Sequence, residues 1–284
     1  MPRGAAVRSG SPTSLRMDTV AIPGGRALVG TNRPVFPDDG EGPLRERTVA
    51  PFRMTPTTIT NRQFAAFVGE TGYRTEAERH GWSFVFSGAL VGTEDVEGLV
   101  SDLPWWCRVG RADWRHPKGR GSSIAGRDGL PVVHVSYNDA AAFAMWCGGR
   151  LPTEVEWEHA ARGGRSDVRY PWGDDEPHPA DPKCHFGQVD SAQADPEEVG
   201  PVAAEAFAAN GYGLYNMVGN VWEWTSSGAD EEQGPVGSLV PRKTLKGGSY
   251  LCHPDACFRY RIAARISNTI DTSTGHTGFR VVFS

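Results

Sequence analysis

The segment GGSYLCHPDACFRYRIAARISNTIDTSTGHTGFRVV, residues 247–282, places two of the chain's five cysteines five positions apart. Cys252 and Cys257 could form a disulfide, supply two ligands of a zinc site, lie buried as unreactive thiols, or act together in catalysis. Two thiolates without a hard ligand beside them also suit a soft monovalent ion such as copper(I). The spacing alone leaves these alternatives open, so the rest of the chain has to decide between them.

The overall composition restricts the class of protein. The chain has 284 residues, which suits one large domain or two small ones, and a net charge of −5 without a basic block. This balance argues against nucleic acid and against anionic membranes as partners. No apolar run approaches the roughly 18 residues that cross a bilayer. Residues 1–17 carry arginines but lack the apolar core of a signal peptide, and we expect them to form a disordered tail.

The number of cysteines bears on the cellular compartment. An odd, sparse set of five in a long chain without a recognisable signal peptide is typical of a reducing compartment. We therefore expect free thiols and a cytoplasmic protein. This expectation weakens the disulfide interpretation of Cys252 and Cys257, but it leaves a redox-active pair open.

Three helices are indicated by capping boxes, in which a hydroxyl residue caps the first turn and a residue three positions on reaches back to it. The three pairs are Thr60 with Gln63, Ser136 with Asp139, and Thr153 with Glu156. Glycine pairs follow the second and third of these segments, as is typical of helix ends.

Short strands are predicted for TVAIPGG, LPVVHVS, TLKGGSY and GFRVVFS, which are rich in β-branched and aromatic residues. Between the predicted elements the chain consists mostly of turns and loops, in keeping with its 35 glycines and 21 prolines. The sequence therefore predicts one irregular α+β domain with little regular secondary structure over residues 18–284.

A second segment with chemical character is NGYGLYNMVGNVWEW, residues 210–224. It offers side-chain oxygens at Asn216, Asn220 and Glu223, between glycine-rich turns that expose backbone carbonyls. Oxygen donors alone suit a hard cation such as calcium. The alternative is an aromatic core loop whose asparagines satisfy turn backbone, and the residues by themselves favour that alternative.

Residues 247–282 resemble the C-terminal signature of formylglycine-generating enzymes, the sulfatase-modifying oxidases. Earlier blocks resemble the same family in the same order, among them DDGEGPLRERTVAPF, ADWRHPKG, LPVVHVSYNDAAAFAMWCGGRLPTEVEWEHAARGG and NGYGLYNMVGNVWEWT. The resemblance extends over residues 18–284. Several blocks are shared with a wider superfamily that includes iron-dependent sulfoxide synthases, and the cysteine pair after GGSY is the discriminating feature.

The resemblance implies a C-type-lectin-like fold. It also implies that O2 oxidises a cysteine in an unfolded C-x-P-x-R segment of a sulfatase to Cα-formylglycine, with a thiol as reductant. Cys252 and Cys257 match the catalytic pair that binds copper(I), and Ser249 matches the active-site serine. The substrate thiolate is implied as a third ligand of the copper.

The resemblance also implies one calcium site. Its ligands are Asn216, Gly219, Val221 and Glu223, the two middle residues through their backbone carbonyls. His185 stands where the family has an asparagine of a second calcium site, so we expect no second ion there. Ala256 replaces the family's tyrosine before the second cysteine, from which we expect a more open pocket and slower turnover.

Two other functions are compatible with the sequence. A superfamily relative could oxidise another thiol substrate, and activity on C-x-P-x-R peptides would discriminate it. A non-catalytic, lectin-like binding module would depend on neither cysteine and would consume no O2. Iron-dependent sulfoxide synthesis is disfavoured because the sequence lacks an H-x3-H-x-E motif.

Overall fold

The computed structural model describes residues 17–93, 95–178, 181–187, 195–228, 240–255 and 257–284. The expected tail lies outside the described residues apart from Met17, and so does Ala256, on which the expectation of a more open pocket depends. The described part is an α+β domain of short helices and small sheets joined by long irregular segments, as the sequence predicts. No helix within it is long and apolar enough to cross a membrane.

Each α-helix that the structure describes begins at a capping box, with a threonine or serine hydroxyl accepting from the backbone N–H three residues on. The helices are α1 (Asn61–Thr71), α2 (Glu76–His80), α3 (Tyr137–Trp146) and α4 (Glu154–Arg162). The predictions of α1, α3 and α4 are confirmed. α2 was not predicted, although Thr75 and Glu78 form the same box, because its five residues are too few to show helical periodicity.

The strands that the structure describes are short. In chain order, β1 to β12 are Val20–Ile22, Gly25–Val29, Arg45–Val49, Phe52–Met54, Trp82–Phe86, Val96–Val100, Leu103–Gly110, Trp222–Gly228, Arg242–Lys246, Arg265–Thr269, Thr277–Gly278 and Val282–Phe283. They form sheets of order β1-β4-β12, β2-β3, β5-β7-β6 and β10-β9-β8-β11. The pairings are antiparallel except that of β8 with β11.

The predicted strand LPVVHVS, residues 130–136, is wrong. The segment is buried and Val132 N–H donates to Ile59 O at 2.9 Å, but no strand forms. His134 has a φ of +57°, and this left-handed conformation prevents a β ladder from continuing. The predicted strand TVAIPGG contains β1, and TLKGGSY contains the end of β9. The predicted strand GFRVVFS is divided between β11 and β12. The β5-β7-β6 sheet was not predicted.

Packing fixes the GGSYLC segment between two apolar clusters. The larger cluster is rich in buried aromatic rings, such as Phe64 and Phe143 with centroids 5.9 Å apart, and it includes Cys252. The smaller cluster combines residues of β5 and β7 with residues of neighbouring loops, among them Tyr250 and Leu251. Neighbouring residues of one segment are thus buried in different clusters, which holds their backbone in place.

Candidate active site

A close approach of two backbones brings the cysteine segments together. β9 ends at Lys246 and is followed by Gly247 and Gly248, whose φ angles are +93° and +73°. An added Cβ at Gly248 would lie 2.7 Å from the carbonyl oxygen of Arg259. Only glycine combines the left-handed turn with this contact. The segment that follows Gly248 therefore lies directly against the segment that follows Cys257.

The two cysteines then meet across a single turn. The Cys257 N–H donates to His253 O at 2.8 Å, and the sulfur atoms of Cys252 and Cys257 lie 3.1 Å apart. This separation is longer than a disulfide bond of about 2.05 Å, and all five cysteines of the chain are free. Cys252 is buried, whereas Cys257 is partly exposed.

Ser249 is in contact with the buried cysteine. Its N–H donates to the Cys252 sulfur at 3.5 Å, and the Cys252 N–H donates to the Ser249 carbonyl at 3.0 Å. The Ser249 side chain is fully buried. The structure therefore brings together the three residues that the resemblance implies for the active site.

The Cys252 and Cys257 sulfur atoms favour a state in which they hold one proton between them. A hydrogen bond from the Cys252 thiol and the nearby Arg259 guanidinium together lower the pKa of Cys257 to about 6, against the opposing effect of burial. Burial, together with the hydrogen bond to Cys257, raises the pKa of Cys252 well above its ordinary value. At neutral pH the metal-free pair is therefore a Cys257 thiolate that accepts a hydrogen bond from a Cys252 thiol.

Arg259 links this pair to a distant part of the chain. Its Nη1 lies 3.7 Å from the Cys257 sulfur, and its Nε donates to Asp39 Oδ2 at 2.6 Å. Its guanidinium lies over the Phe36 ring, 4.0 Å from the centroid. Asp39 and Arg259 were not predicted as residues of the site, because 220 positions separate them and no spacing rule connects them.

The donor set at the pair fits a soft ion. Within the described residues, no group of three or more His, Cys, Asp or Glu side chains is placed to hold a metal ion. His253, the residue closest in sequence that could complete a zinc site, accepts a hydrogen bond from Asp255 N–H through Nδ1 at 3.2 Å. Two sulfur donors without a third protein ligand suit copper(I) better than zinc.

The oxygen-rich loop, residues 210–224, offers oxygen donors rather than sulfur. Asn216 and Asn220 adopt left-handed conformations with φ of +49° and +60°. Asn216 donates through Nδ2 to the carbonyls of Ala203 and Ala204, and its Oδ1 is buried without a hydrogen-bond partner among the described residues. An unpaired buried oxygen carries a desolvation cost that a cation would remove. This atom therefore fits a calcium ligand.

Glu223 is already paired in the structure. Both of its carboxylate oxygens accept from Arg280 at 2.7 Å, and Oε2 also accepts from Trp157 Nε1 at 2.7 Å. Gly219 approaches the neighbouring chain so closely that a Cβ would lie 2.5 Å from His185 O. The Glu223 carboxylate thus already accepts three hydrogen bonds, whereas the amide oxygen of Asn216 accepts none and has more capacity left to bind a cation.

These features are those of a C-type-lectin-like domain that carries a pair of free cysteines sharing one proton. A family model described as the sulfatase-modifying factor enzyme 1-like domain matches residues 5–284. The chain belongs to this family.

Curated relatives include both active and inactive members. The formylglycine-generating enzyme of Thermomonospora curvata is 48% identical over 95% of this chain and 94% of that protein. That of Mus musculus is 44% identical over 92% of this chain and 73% of that protein. A Bos taurus protein called inactive C-alpha-formylglycine-generating enzyme 2 is also 44% identical, over 93% of this chain and 87% of that protein. Sequence identity alone therefore does not separate active from inactive members, so the residues of the active site have to distinguish them.

Solved structures share the fold. PvdO from Pseudomonas aeruginosa matches with a TM-score of 0.62 and 22% identity over 94% of each chain. Treponema denticola variable protein 1 matches with a TM-score of 0.58 and 15% identity over 96% of this chain and 97% of that one. At these identities the likeness shows the fold alone.

Proposed function

We propose that this protein oxidises a cysteine in a C-x-P-x-R segment of an unfolded sulfatase to Cα-formylglycine, with O2 as oxidant and a thiol as reductant. The observation that carries the proposal is the Cys252–Cys257 pair, with sulfur atoms 3.1 Å apart and a thiolate favoured on Cys257. Relatives named formylglycine-generating enzyme, 43–48% identical over more than nine tenths of this chain, support the same reaction.

The reaction balances only if a reductant takes part. Conversion of the substrate's CH2–SH group into an aldehyde releases hydrogen sulfide, takes up one oxygen atom and removes two electrons from the substrate carbon. O2 accepts four electrons, so two more electrons and two protons must come from two further thiols. These thiols form a disulfide, and the second oxygen atom leaves as water.

Bound copper(I) would supply the one-electron chemistry with O2, and Cys252 and Cys257 would hold it as thiolates. Thiolates rather than thiols bind such an ion, so the proton shared by the pair is the one that has to leave. Negative charge on the Cys252 sulfur is stabilised by the Ser249 N–H at 3.5 Å. On the Cys257 sulfur it is stabilised by Arg259.

Burial sets the side from which a substrate arrives. Cys252 is 1% exposed and is packed in the core, whereas Cys257 remains partly open to solvent. A substrate thiol therefore reaches the pair from the side of Cys257. An extended, unfolded segment fits such a partly covered site better than a folded protein surface would.

Calcium at the oxygen-rich loop is a second part of the proposal, with Asn216, Gly219, Val221 and Glu223 as ligands. The orphan Oδ1 of Asn216 supports it. Elemental analysis of the purified protein should find one calcium ion per chain, and two would contradict the expectation of a single site. A hundredfold excess of calcium over its Kd should raise the free energy of unfolding by about 2.7 kcal/mol.

The deciding experiment combines the protein with copper(I), a thiol and a C-x-P-x-R peptide in air, followed by mass spectrometry. The peptide should change mass by the exchange of hydrogen sulfide for one oxygen atom, with O2 consumed in step. A peptide with serine in place of its cysteine is the control. No product and no O2 consumption would favour the binding module, and oxidation of other thiols but not of this peptide would favour a different substrate.

A further inference from the structure

Arg259 lies beside the Cys257 sulfur and carries a fixed positive charge, and the inference drawn from that charge rests on the proposed copper site. Two thiolates with one copper(I) ion carry a net charge of −1, whereas two thiolates with one zinc(II) ion carry none. Cys252 is fully buried, and an uncompensated charge at such a place is costly. A fixed cation beside the sulfur atoms therefore stabilises the copper-bound pair and does nothing comparable for the zinc-bound pair.

The structure holds Arg259 in the place where such a charge is needed. Its Nη1 lies 3.7 Å from the Cys257 sulfur, while Asp39 occupies its Nε at 2.6 Å. Phe36 covers the guanidinium face at 4.0 Å. One edge of the guanidinium is thus anchored and the other is directed at the cysteine, so that the charge is oriented before any ion binds.

The segment that anchors Arg259 is itself fixed. It forms a 3-10 turn, Pro37–Asp39, which ends at Gly40 in a left-handed conformation. The next residue, Glu41, is fully buried and accepts from the Val35 and Phe36 N–H groups. Glu41 also receives the guanidinium of Arg261 in a two-pronged ion pair. Arg261 is thereby satisfied by a carboxylate, whereas Arg259 keeps a donor for the sulfur.

We infer that Arg259 is a specificity-determining residue that makes the cysteine pair select monovalent copper(I) over divalent zinc, with Asp39 and Phe36 as the residues that position it. Both ions bind to the same metal-free protein. The ratio of the two affinities therefore depends only on the two metal-bound states, and the protonation of the free cysteines cancels. This ratio is the quantity that Arg259 controls.

The test measures two dissociation constants in one buffer without O2, for copper(I) against a coloured copper(I) chelator and for zinc(II) against a zinc fluorophore. Arg259→Gln should lower the copper-to-zinc affinity ratio by about 10- to 100-fold, the size of effect that an opposite charge within 4–6 Å exerts on such equilibria. Arg259→Lys keeps the charge and should retain a ratio closer to that of the parent. Neither measurement depends on turnover.

Arg169→Gln is the matched control. Arg169 is partly buried, pairs with Glu176 and lies over the Phe258 ring next to the cysteine turn, so its loss perturbs the same neighbourhood without removing the charge beside the sulfur. The copper-to-zinc affinity ratio of the Arg169→Gln variant should equal that of the parent. If Arg259→Gln does not fold, the double variant Asp39→Asn with Arg259→Gln leaves no unpaired charge and should lower the ratio in the same direction.

A ratio for Arg259→Gln within about twofold of the parent would overturn the inference, since that is within the spread expected of a change without charge effect. A ratio for Arg259→Lys as low as that for Arg259→Gln would overturn it as well, because charge would then not be the cause. Either of these two results would leave the proposed function intact, because peptide oxidation by the copper-loaded parent does not depend on how the variants bind metal. A parent that binds no copper(I) would overturn the metal part of the proposed function and this inference together.

Discussion

The cysteine pair and the oxygen-rich loop each place an arginine beside an anionic group, Cys257 and Glu223, but the two arginines bind these groups differently. Arg280 gives both oxygens of Glu223 hydrogen bonds of 2.7 Å, so the carboxylate is paired with a cation through both oxygens. Arg259 reaches the Cys257 sulfur only at 3.7 Å and makes its shorter contact with Asp39.

The two regions are in direct contact, since Gly219 N–H donates to Gly247 O at 2.8 Å. Their contrast shows that an arginine can neutralise an anion and make it structural, or can stabilise it incompletely and leave it able to bind or react. At Glu223 the geometry gives stability, and at Cys257 it gives a thiolate that remains available.

The largest effect is expected at the cysteine pair. Cys252→Ser or Cys257→Ser should lower peptide oxidation on the order of a thousandfold or more while the melting temperature stays close to that of the parent, because a hydroxyl is a poor ligand for a soft ion. The assay is the mass-spectrometric conversion of the C-x-P-x-R peptide, together with thermal unfolding.

The other three thiols, Cys107, Cys147 and Cys184, are the controls for this prediction. Burial raises the pKa of each of them, so they lack a thiolate at neutral pH, and their serine variants should keep most of the activity. Near-parent turnover by either variant of the pair would make the paired-thiolate mechanism wrong.

The next effect concerns stability at the paired carboxylate. Glu223→Ala leaves the buried Arg280 without its carboxylate partner, and should lower the free energy of unfolding by about 3–5 kcal/mol in denaturant titrations. Asp39→Ala, which removes the partner of a partly exposed arginine, should cost only about 0–1 kcal/mol. Replacing Glu223 and Arg280 together by methionine should recover only part of the loss, because Trp157 Nε1 and the backbone carbonyls that Arg280 binds also lose their partners.

Calcium offers a competing explanation for the same loss. If the ion rather than the ion pair stabilises the loop, a chelator should destabilise the parent as much as Glu223→Ala does, and the double methionine variant should recover nothing. Equal recovery in the presence and absence of chelator would assign the stability to the Glu223–Arg280 pair.

A smaller but distinctive effect is the pH dependence of cysteine reactivity in the metal-free protein. The pKa of Cys257 is lowered to about 6, so its thiolate fraction falls as pH drops through that value. Alkylation of Cys257 by iodoacetamide should slow about a hundredfold between pH 8 and pH 4 with a midpoint near 6. Cys147, with a pKa raised to about 11 by burial, should remain unlabelled at pH 7. A midpoint near the ordinary value of 9.0 would show that the pKa of Cys257 is not lowered, and the cysteine pair would then not hold a reactive anion at neutral pH.

The smallest expected effect is that of Ala256→Tyr. The family resemblance places a tyrosine at this position, and restoring it should raise turnover about two- to fivefold, in line with the modest contribution of one aromatic contact. Steady-state rates on the standard peptide measure it. An unchanged rate, or a loss with the protein still folded, would show that the neighbouring residues are adapted to alanine.

The helices were predictable because their signals are local. A threonine or serine and its partner three residues on decide a capping box within one turn, and α1, α3 and α4 begin where those pairs stand. The strands were less predictable. LPVVHVS has the composition of a strand, but His134 takes a left-handed conformation. There its Nε2 donates to the carbonyl of Pro117 and its Nδ1 lies 2.8 Å from the Ser83 hydroxyl, and both partners are distant in sequence.

The cysteine pair could be read from the sequence alone, since Cys252 and Cys257 are close enough for one turn to bring their sulfur atoms together. Which of the two carries the negative charge is a property of the tertiary structure. That outcome depends on Arg259 and on Asp39, 220 positions earlier, and on the core that buries Cys252 more deeply than its partner. Electrostatic partners are selected by which distant segments the core packs against each other, whereas turns and caps are selected by neighbours along the chain.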